Sequence, residues 1–178
     1  MKKISVDKPA DFPENLVLIG MFGGAKSAVG RLLAQKLRYS FVDVDRLIES
    51  KYKKPLQKIM VSLGLKRFMK MEDEAIQALH YWHCVIAPGE SSAYYPAAMK
   101  HLKTLGPRIY LKPTLADLRS LLPGWENHGV VRRGGHTLPQ LYRERSPLYR
   151  KYADFTIETH GKSNDAIARE ILKTLGWK

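Results

Sequence analysis

The patterned part of the chain opens on a short continuous apolar run, Leu16 to Ile19, closed by Gly20. Such a run predicts a buried parallel strand. A glycine-rich turn follows. From Lys26 to Leu37 the apolar positions Val29, Leu32, Leu33 and Leu37 have the spacing of an amphipathic helix. Ser40 to Asp45 predicts a second strand ending in two acids. Residues 46–82 predict helices with breaks at Pro55 and Gly64. Cys84 to Ala87 predicts a third strand, closed by Pro88 and Gly89. A helix over 94–104, a strand from Arg108 to Leu111 and a helix over 115–122 come next. Pro123 to Gly135 is polar, glycine-rich and aperiodic, which predicts a loop. Leu138 to Tyr149 predicts a helix with a break near Pro147, Phe155 to Glu158 a fifth strand, and Asp165 to Leu175 a closing helix. Short apolar strands alternating with helices predict an α/β fold whose parallel sheet is covered on both faces.

Composition narrows the class. A chain of 178 residues and 20.3 kDa, with 44% hydrophobic residues, suits one domain with a real core. The single cysteine, Cys84, excludes an internal disulfide framework and suits a reducing compartment. No apolar stretch approaches the roughly 20 residues that span a bilayer. The first residues carry no apolar signal segment. A cytoplasmic protein without membrane partners is the expectation.

The net charge of +13 is unevenly spread. Residues 51–70 hold seven basic and no acidic groups. Such a stripe can neutralise a nucleic-acid backbone, line a cleft for small anions, or be a solvated helix face. Charge alone does not choose among these, and nucleic acid is the least supported partner.

The strand, glycine turn and helix place Gly20-x-x-x-x-Ala25-Lys26-Ser27 where a phosphate-binding loop belongs. Backbone N–H groups at a helix N-terminus cradle phosphate oxygens. A lysine there reaches the β- and γ-phosphates, and a serine hydroxyl ligates Mg²⁺. The candidate nucleotide-binding residues are Gly20, Gly23, Gly24, Ala25, Lys26, Ser27 and Ala28. The glycine that ordinarily precedes the lysine is Ala25 here. If that position needs φ > 0, alanine costs about 1 kcal/mol.

Three motifs in order give the chain a family resemblance. Residues 18–34, with Gly20, Gly23, Lys26, Ser27 and Gly30, resemble the start of a shikimate kinase. Phe41 to Glu49 is similar to that family's second strand and D-x-D pair, here Asp43 and Asp45. Arg145 to Asp154 (RSPLYRKYAD) is similar to its R-x-P-L-Y segment. The resemblance covers roughly 14–175. It implies a three-layer P-loop kinase fold with a five-stranded parallel sheet, a substrate-binding insertion at 46–82 and a lid-like loop at 119–139. It implies an ATP- and Mg²⁺-dependent phosphorylation of the shikimate 3-hydroxyl by a monomer. Ser27 and Asp43 would hold Mg²⁺. Asp45 would bind the substrate hydroxyls and accept the attacking hydroxyl's proton, Arg145 would fork onto the substrate carboxylate, and Gly89 and Glu72 would complete the substrate site. Taken as isolated residues, Asp43 also reads as a strand-end cap, Asp45 reads equally as a helix N-cap, and Arg145 reads sooner as a surface arginine on a basic helix.

Four positions depart from the family pattern. Ala25 is one. Met69 stands where F-R-x-x-E has its arginine, between Phe68 and Glu72. Losing a charge-assisted hydrogen bond there costs about 1.5–3 kcal/mol unless Lys66, Arg67 or Lys70 compensates. Gly89-Glu90-Ser91 replaces a three-glycine turn and adds a negative charge where an anionic substrate would lie. The lid lacks R-P-L-L, leaving Arg132 and Arg133 as the nearest cations, with Arg133 as the catalytic candidate. The chain is thus expected to be a shikimate kinase-like enzyme, or a diverged member acting on another anionic substrate, or a non-catalytic nucleotide-binding protein. His80, His83 and Cys84 lack a fourth zinc ligand nearby and read as a helix end running into a strand.

Overall fold

The computed structural model describes residues 12–23, 25–121, 131 and 135–177. Its five strands are β1 (Asn15–Ile19), β2 (Ser40–Asp43), β3 (Cys84–Ala87), β4 (Arg108–Lys112) and β5 (Phe155–Glu158). They form one parallel sheet in the order β2-β3-β1-β4-β5. The helices are α1 (Lys26–Leu37), α2 (Val44–Tyr52), α3 (Leu56–Leu63), α4 (Leu65–Gln77), α5 (Pro96–Leu105), α6 (Leu115–Leu121), α7 (Leu138–Tyr152) and α8 (Asn164–Thr174).

Strand β1 explains why the sheet needs cover on both faces. All five of its residues are buried. Side chains alternate along a strand, so Leu16 and Leu18 join Val29, Leu33, Ile167 and Ile171 of α1 and α8. Val17 and Ile19 join the opposite cluster with Phe68, Ile76, Met99 and Tyr149, from α4, α5 and α7. The Asn15 side chain ties strand starts together. Its Nδ2 donates to Tyr81 O at 2.7 Å and Leu105 O at 3.1 Å, and its Oδ1 accepts from Cys84 N at 3.0 Å.

Three boundaries differ from the sequence expectation. The second strand stops at Asp43 rather than Asp45, because the Asp43 carboxylate caps α2 by accepting from Arg46 N at 3.4 Å. Asp45 therefore sits in the first turn of a helix. The expected helix over 94–104 divides into a 3-10 turn at Ser92–Tyr94 and α5, which begins at Pro96. Proline suits a first helical position because no N–H is needed there. Helix α7 runs through Pro147 to Tyr152 instead of breaking. The proline lies with Arg143 on the exposed side, where water can satisfy the carbonyl it leaves unbonded.

Candidate active site

The C-terminal ends of β1, β2 and β3 surround a cavity of about 380 Å³. Phe22, Gly23, Ala25, Lys26, Ser27 and Ala28 form one wall, and Asp43, Asp45, Ala87, Pro88 and Glu90 the other. This is where parallel α/β sheets bind ligands.

The turn between β1 and α1 is built on left-handed backbone. Gly23 has φ 65° and Ala25 φ 66°. Ala25 thus occupies the conformation that glycine takes at least cost, and it does so as the residue that caps α1. Gly24, placed in the same loop by sequence, lies outside the described residues. Lys26 folds back so that Nζ donates to Gly20 O at 2.8 Å and Met21 O at 2.9 Å. Burial lowers its pKa, while Glu90, Asp45 and Asp43 oppose that shift. The Ser27 hydroxyl donates to Asp43 Oδ2 at 3.1 Å.

Asp45 is the second carboxylate of the cavity. Its Oδ1 is buried with no hydrogen-bond partner among the described residues. Burial first, and the Glu90 charge second, raise its pKa to about 7. Gly89 leaves room for it. A Cβ at that position would stand 2.7 Å from Asp45 Oδ1 and 3.2 Å from Glu72 Oε1. Glu72, buried on α4, accepts from Ser91 Oγ at 2.7 Å and Tyr95 OH at 2.6 Å. Burial and Glu90 push its pKa up to about 8, against those two hydrogen bonds. Glu72 is therefore held by Ser91 and Tyr95 rather than by an arginine.

Arg145 is completely buried on α7. Its Nε donates to Tyr94 OH at 3.1 Å and its NH2 donates to Val131 O. Its NH1 makes no hydrogen bond among the described residues and lies 3.7 Å from Glu90 Oε1. Burial works most strongly against the guanidinium charge, but Glu90, Tyr149 and Tyr94 together oppose it and the pKa is raised. The isolated reading of Arg145 as a surface arginine is thereby corrected.

The sequence marks Glu90 only as a negative charge where an anionic substrate would lie; in the fold it has defined partners. It follows the end of β3, whose Ala87 is in register with Asp43 of β2, so the same strand-end level delivers both acids. Its carboxylate accepts from Val131 N at 3.3 Å, and its carbonyl accepts from Tyr149 OH.

Met69 is half-buried against the core. The cations offered as compensation do not reach inward. Lys66, Arg67 and Lys70 are exposed, and Lys70 pairs with Glu74 on the same helix at 3.7 Å. All seven basic residues of 51–70 are exposed, so that stripe is a solvated face of α2 to α4 and does not line the cavity. Arg132 and Arg133 lie outside the described residues. Among the described residues no group of three or more His, Cys, Asp or Glu could hold a metal, and no helix is long and apolar enough to cross a membrane.

Known proteins resemble this arrangement. A profile of shikimate kinases matches residues 22–176. This chain belongs to the shikimate kinase family. A shikimate kinase of Moorella thermoacetica is 34% identical over 173 residues, covering 92% of this chain and 95% of that protein. One from Thermodesulfovibrio yellowstonii is 34% identical over 163 residues, covering 90% and 94%. The shikimate kinase from Acinetobacter baumannii, solved in complex with shikimate, superposes with a TM-score of 0.84 at 28% identity, covering 92% of this chain and 93% of that one. A gluconokinase from Sinorhizobium meliloti, at 18% identity and a TM-score of 0.53, shares the fold alone. A shikimate kinase is a phosphotransferase with an alcohol acceptor, and this chain has the five-stranded parallel sheet of such enzymes.

Proposed function

We propose that this protein, acting as a cytoplasmic monomer, transfers the γ-phosphoryl group of Mg·ATP to the 3-hydroxyl of shikimate. The observation that carries the reading is the buried Asp45 carboxylate, which lines the same cavity as Lys26, Ser27 and Asp43 and whose Oδ1 has no hydrogen-bond partner among the described residues. The residues fit the reactants. The α1 N-terminus and the Lys26 ammonium suit phosphate oxygens. One hydroxyl and one carboxylate, Ser27 and Asp43, suit Mg²⁺, which keeps waters and phosphates as its other ligands. When bound, Mg²⁺ would screen phosphate charge as the new bond forms.

The residues of the chain divide the remaining work. Gly20, Gly23, Ala25 and Ala28 shape the loop around the phosphates. Lys26 exchanges its two carbonyl acceptors for phosphate oxygens. Asp45 orients the acceptor hydroxyl and takes its proton as the acceptor oxygen bonds to phosphorus and the bridging bond to ADP breaks. A carboxyl raised to about 7 is a far better proton acceptor than an ordinary one. Gly89 keeps the acceptor path open beside Asp45, and Glu72 fixes Ser91 and Tyr95 around it. Arg145, with an unfilled NH1, anchors the acceptor carboxylate. The segment 46–82 serves as the acceptor-side insertion, and 119–139 as the lid.

ADP release measured with and without shikimate tests the reading. Shikimate-dependent release that Asp45→Asn abolishes is expected. Nucleotide binding without shikimate-dependent turnover would favour a diverged acceptor or a non-catalytic nucleotide-binding role. Met69 and Glu90 at the acceptor end are the observations that keep this second reading in view.

A further inference from the structure

We infer that Glu90 is a built-in competitor for Arg145, a side-chain carboxylate occupying the place of the acceptor's own carboxylate. This rests on the assignment of Arg145 as the acceptor anchor. A completely buried guanidinium requires an anion close by. The described residues offer it only two hydrogen bonds, from Nε to the Tyr94 hydroxyl and from NH2 to the Val131 carbonyl, both neutral acceptors. Among the described residues the carboxylate paired with Arg145 is that of Glu90, 3.7 Å from NH1 and so beyond hydrogen-bond distance. It is held off by its own bond from Val131 N. The guanidinium is therefore neutralised without being saturated.

Glu90 is also a wall of the cavity that contains Lys26, Asp43 and Asp45. An incoming carboxylate reaching for NH1 meets Glu90 before it has formed its own bonds. It binds only by displacing the Glu90 charge from Arg145 or by tolerating it nearby. Met69 offers no second cation to offset that repulsion, and Lys66, Arg67 and Lys70 point to solvent. Glu90 thereby determines specificity. It weakens acceptors that carry a carboxylate and leaves uncharged polyhydroxy compounds unaffected.

The test measures binding and turnover of shikimate, and binding of its methyl ester, by wild type, Glu90→Gln and Glu90→Asp, all in the presence of nucleotide. Glutamine keeps an acceptor for Val131 N and removes the charge. We expect Glu90→Gln to tighten shikimate at least tenfold, chiefly in KM with a smaller change in kcat. The methyl ester, which carries no charge at that end, should move less than threefold. Glu90→Asp keeps the charge and should stay near wild type for both. Equal KM values for shikimate in wild type and Glu90→Gln would overturn the inference alone, since the acceptor assignment would stand. Equal tightening of shikimate and its ester would also overturn it, by showing a change of shape rather than of charge. Nucleotide binding with no shikimate binding by any of the three would overturn the acceptor assignment and the inference with it.

Discussion

The Ser27 hydroxyl and the Asp43 carboxylate meet at 3.1 Å across the gap between the first turn of α1 and the end of β2. Each comes from a different strand–helix unit, so the pair exists only when β2 has reached the sheet. One hydroxyl and one carboxylate so placed suit a hydrated divalent cation that keeps waters and phosphates as its other ligands.

If they serve that purpose, Ser27→Ala and Asp43→Asn should each raise the Mg²⁺ concentration needed for half-maximal activity, by about tenfold, since a hydrogen bond or ligand to charge is worth about 1.5–3 kcal/mol. Nucleotide binding in EDTA should change little. A magnesium titration of both variants, followed by ADP release, reads this directly. Asp43→Asn retains a side-chain oxygen for the α2 cap, so loss of folding should not obscure the result.

Ala25→Gly should stabilise the protein. The φ of 66° at Ala25 costs alanine about 1 kcal/mol relative to glycine, part of which glycine returns through its looser unfolded chain. The melting temperature should rise by about 1–4 °C. Calorimetry with ADP should show equal or tighter binding, because the methyl group that lines the cavity is gone. A lower melting temperature would mean that the loop depends on the alanine contacts with the core.

Met69→Arg should lower the KM for shikimate by roughly 10- to 150-fold, the equivalent of one charge-assisted hydrogen bond. Met69 is half-buried next to Phe68 on α4, and the neighbouring lysines are turned to solvent. The gain belongs in KM because the carboxylate is bound alike before and during phosphoryl transfer. Steady-state kinetics at saturating ATP distinguish this from a change in kcat.

Two pH dependences follow from the buried acids, with opposite readouts. A proton acceptor must be ionised, so kcat/KM for shikimate should rise with pH through about 7, the value to which burial and Glu90 raise Asp45. Removing the Glu90 charge should move that limb to lower pH. Stability runs the other way. Burial and Glu90 push the Asp45 and Glu72 carboxyls up to about 7 and about 8 in the fold, well above the ordinary carboxylate range they keep in the unfolded chain. Between those limits the native state holds protons that the unfolded chain has lost, so these groups make stability fall as pH rises, with the loss complete above about 8. Urea midpoints for the free protein at pH 5, 7 and 8.5 should decline for wild type, and the decline should be shallower in Glu72→Gln.

Much of this architecture is written in local pattern. Cys84–Ala87, Phe155–Glu158 and Lys26–Leu37 have the predicted bounds because apolar runs and helical spacing are properties of neighbouring residues. The phosphate loop is equally local, and its key residues lie within nine positions of one another. The acceptor end is not local. Arg145 meets Glu90, Tyr94 and Val131 only through the packing of α7 against the 3-10 turn, and no spacing rule links those positions. The sequence marks Glu90 as a misplaced charge but is silent on which cation receives it. The boundary error at Asp43 has the same origin in reverse: a single side-chain cap ended a strand whose apolar alternation continued to Val44.

The position of β1 in the middle of the sheet has a consequence for how the molecule is made. Asn15 begins the first of the five described strands, yet its bonds reach Cys84, 69 residues later, and Leu105, 90 residues later. Its other neighbour, β4, starts at Arg108 of a 178-residue chain. Asn15 and the four apolar residues after it, all destined for burial, must therefore wait for β3 and then for β4, and the second of these begins more than halfway along the 178 residues. Such long-range closure slows folding and exposes the nascent chain to association with others. The segment from Asn15 to Ile19 is accordingly where a holding chaperone would be needed first, and where slowed translation between residues 20 and 84 would do most harm.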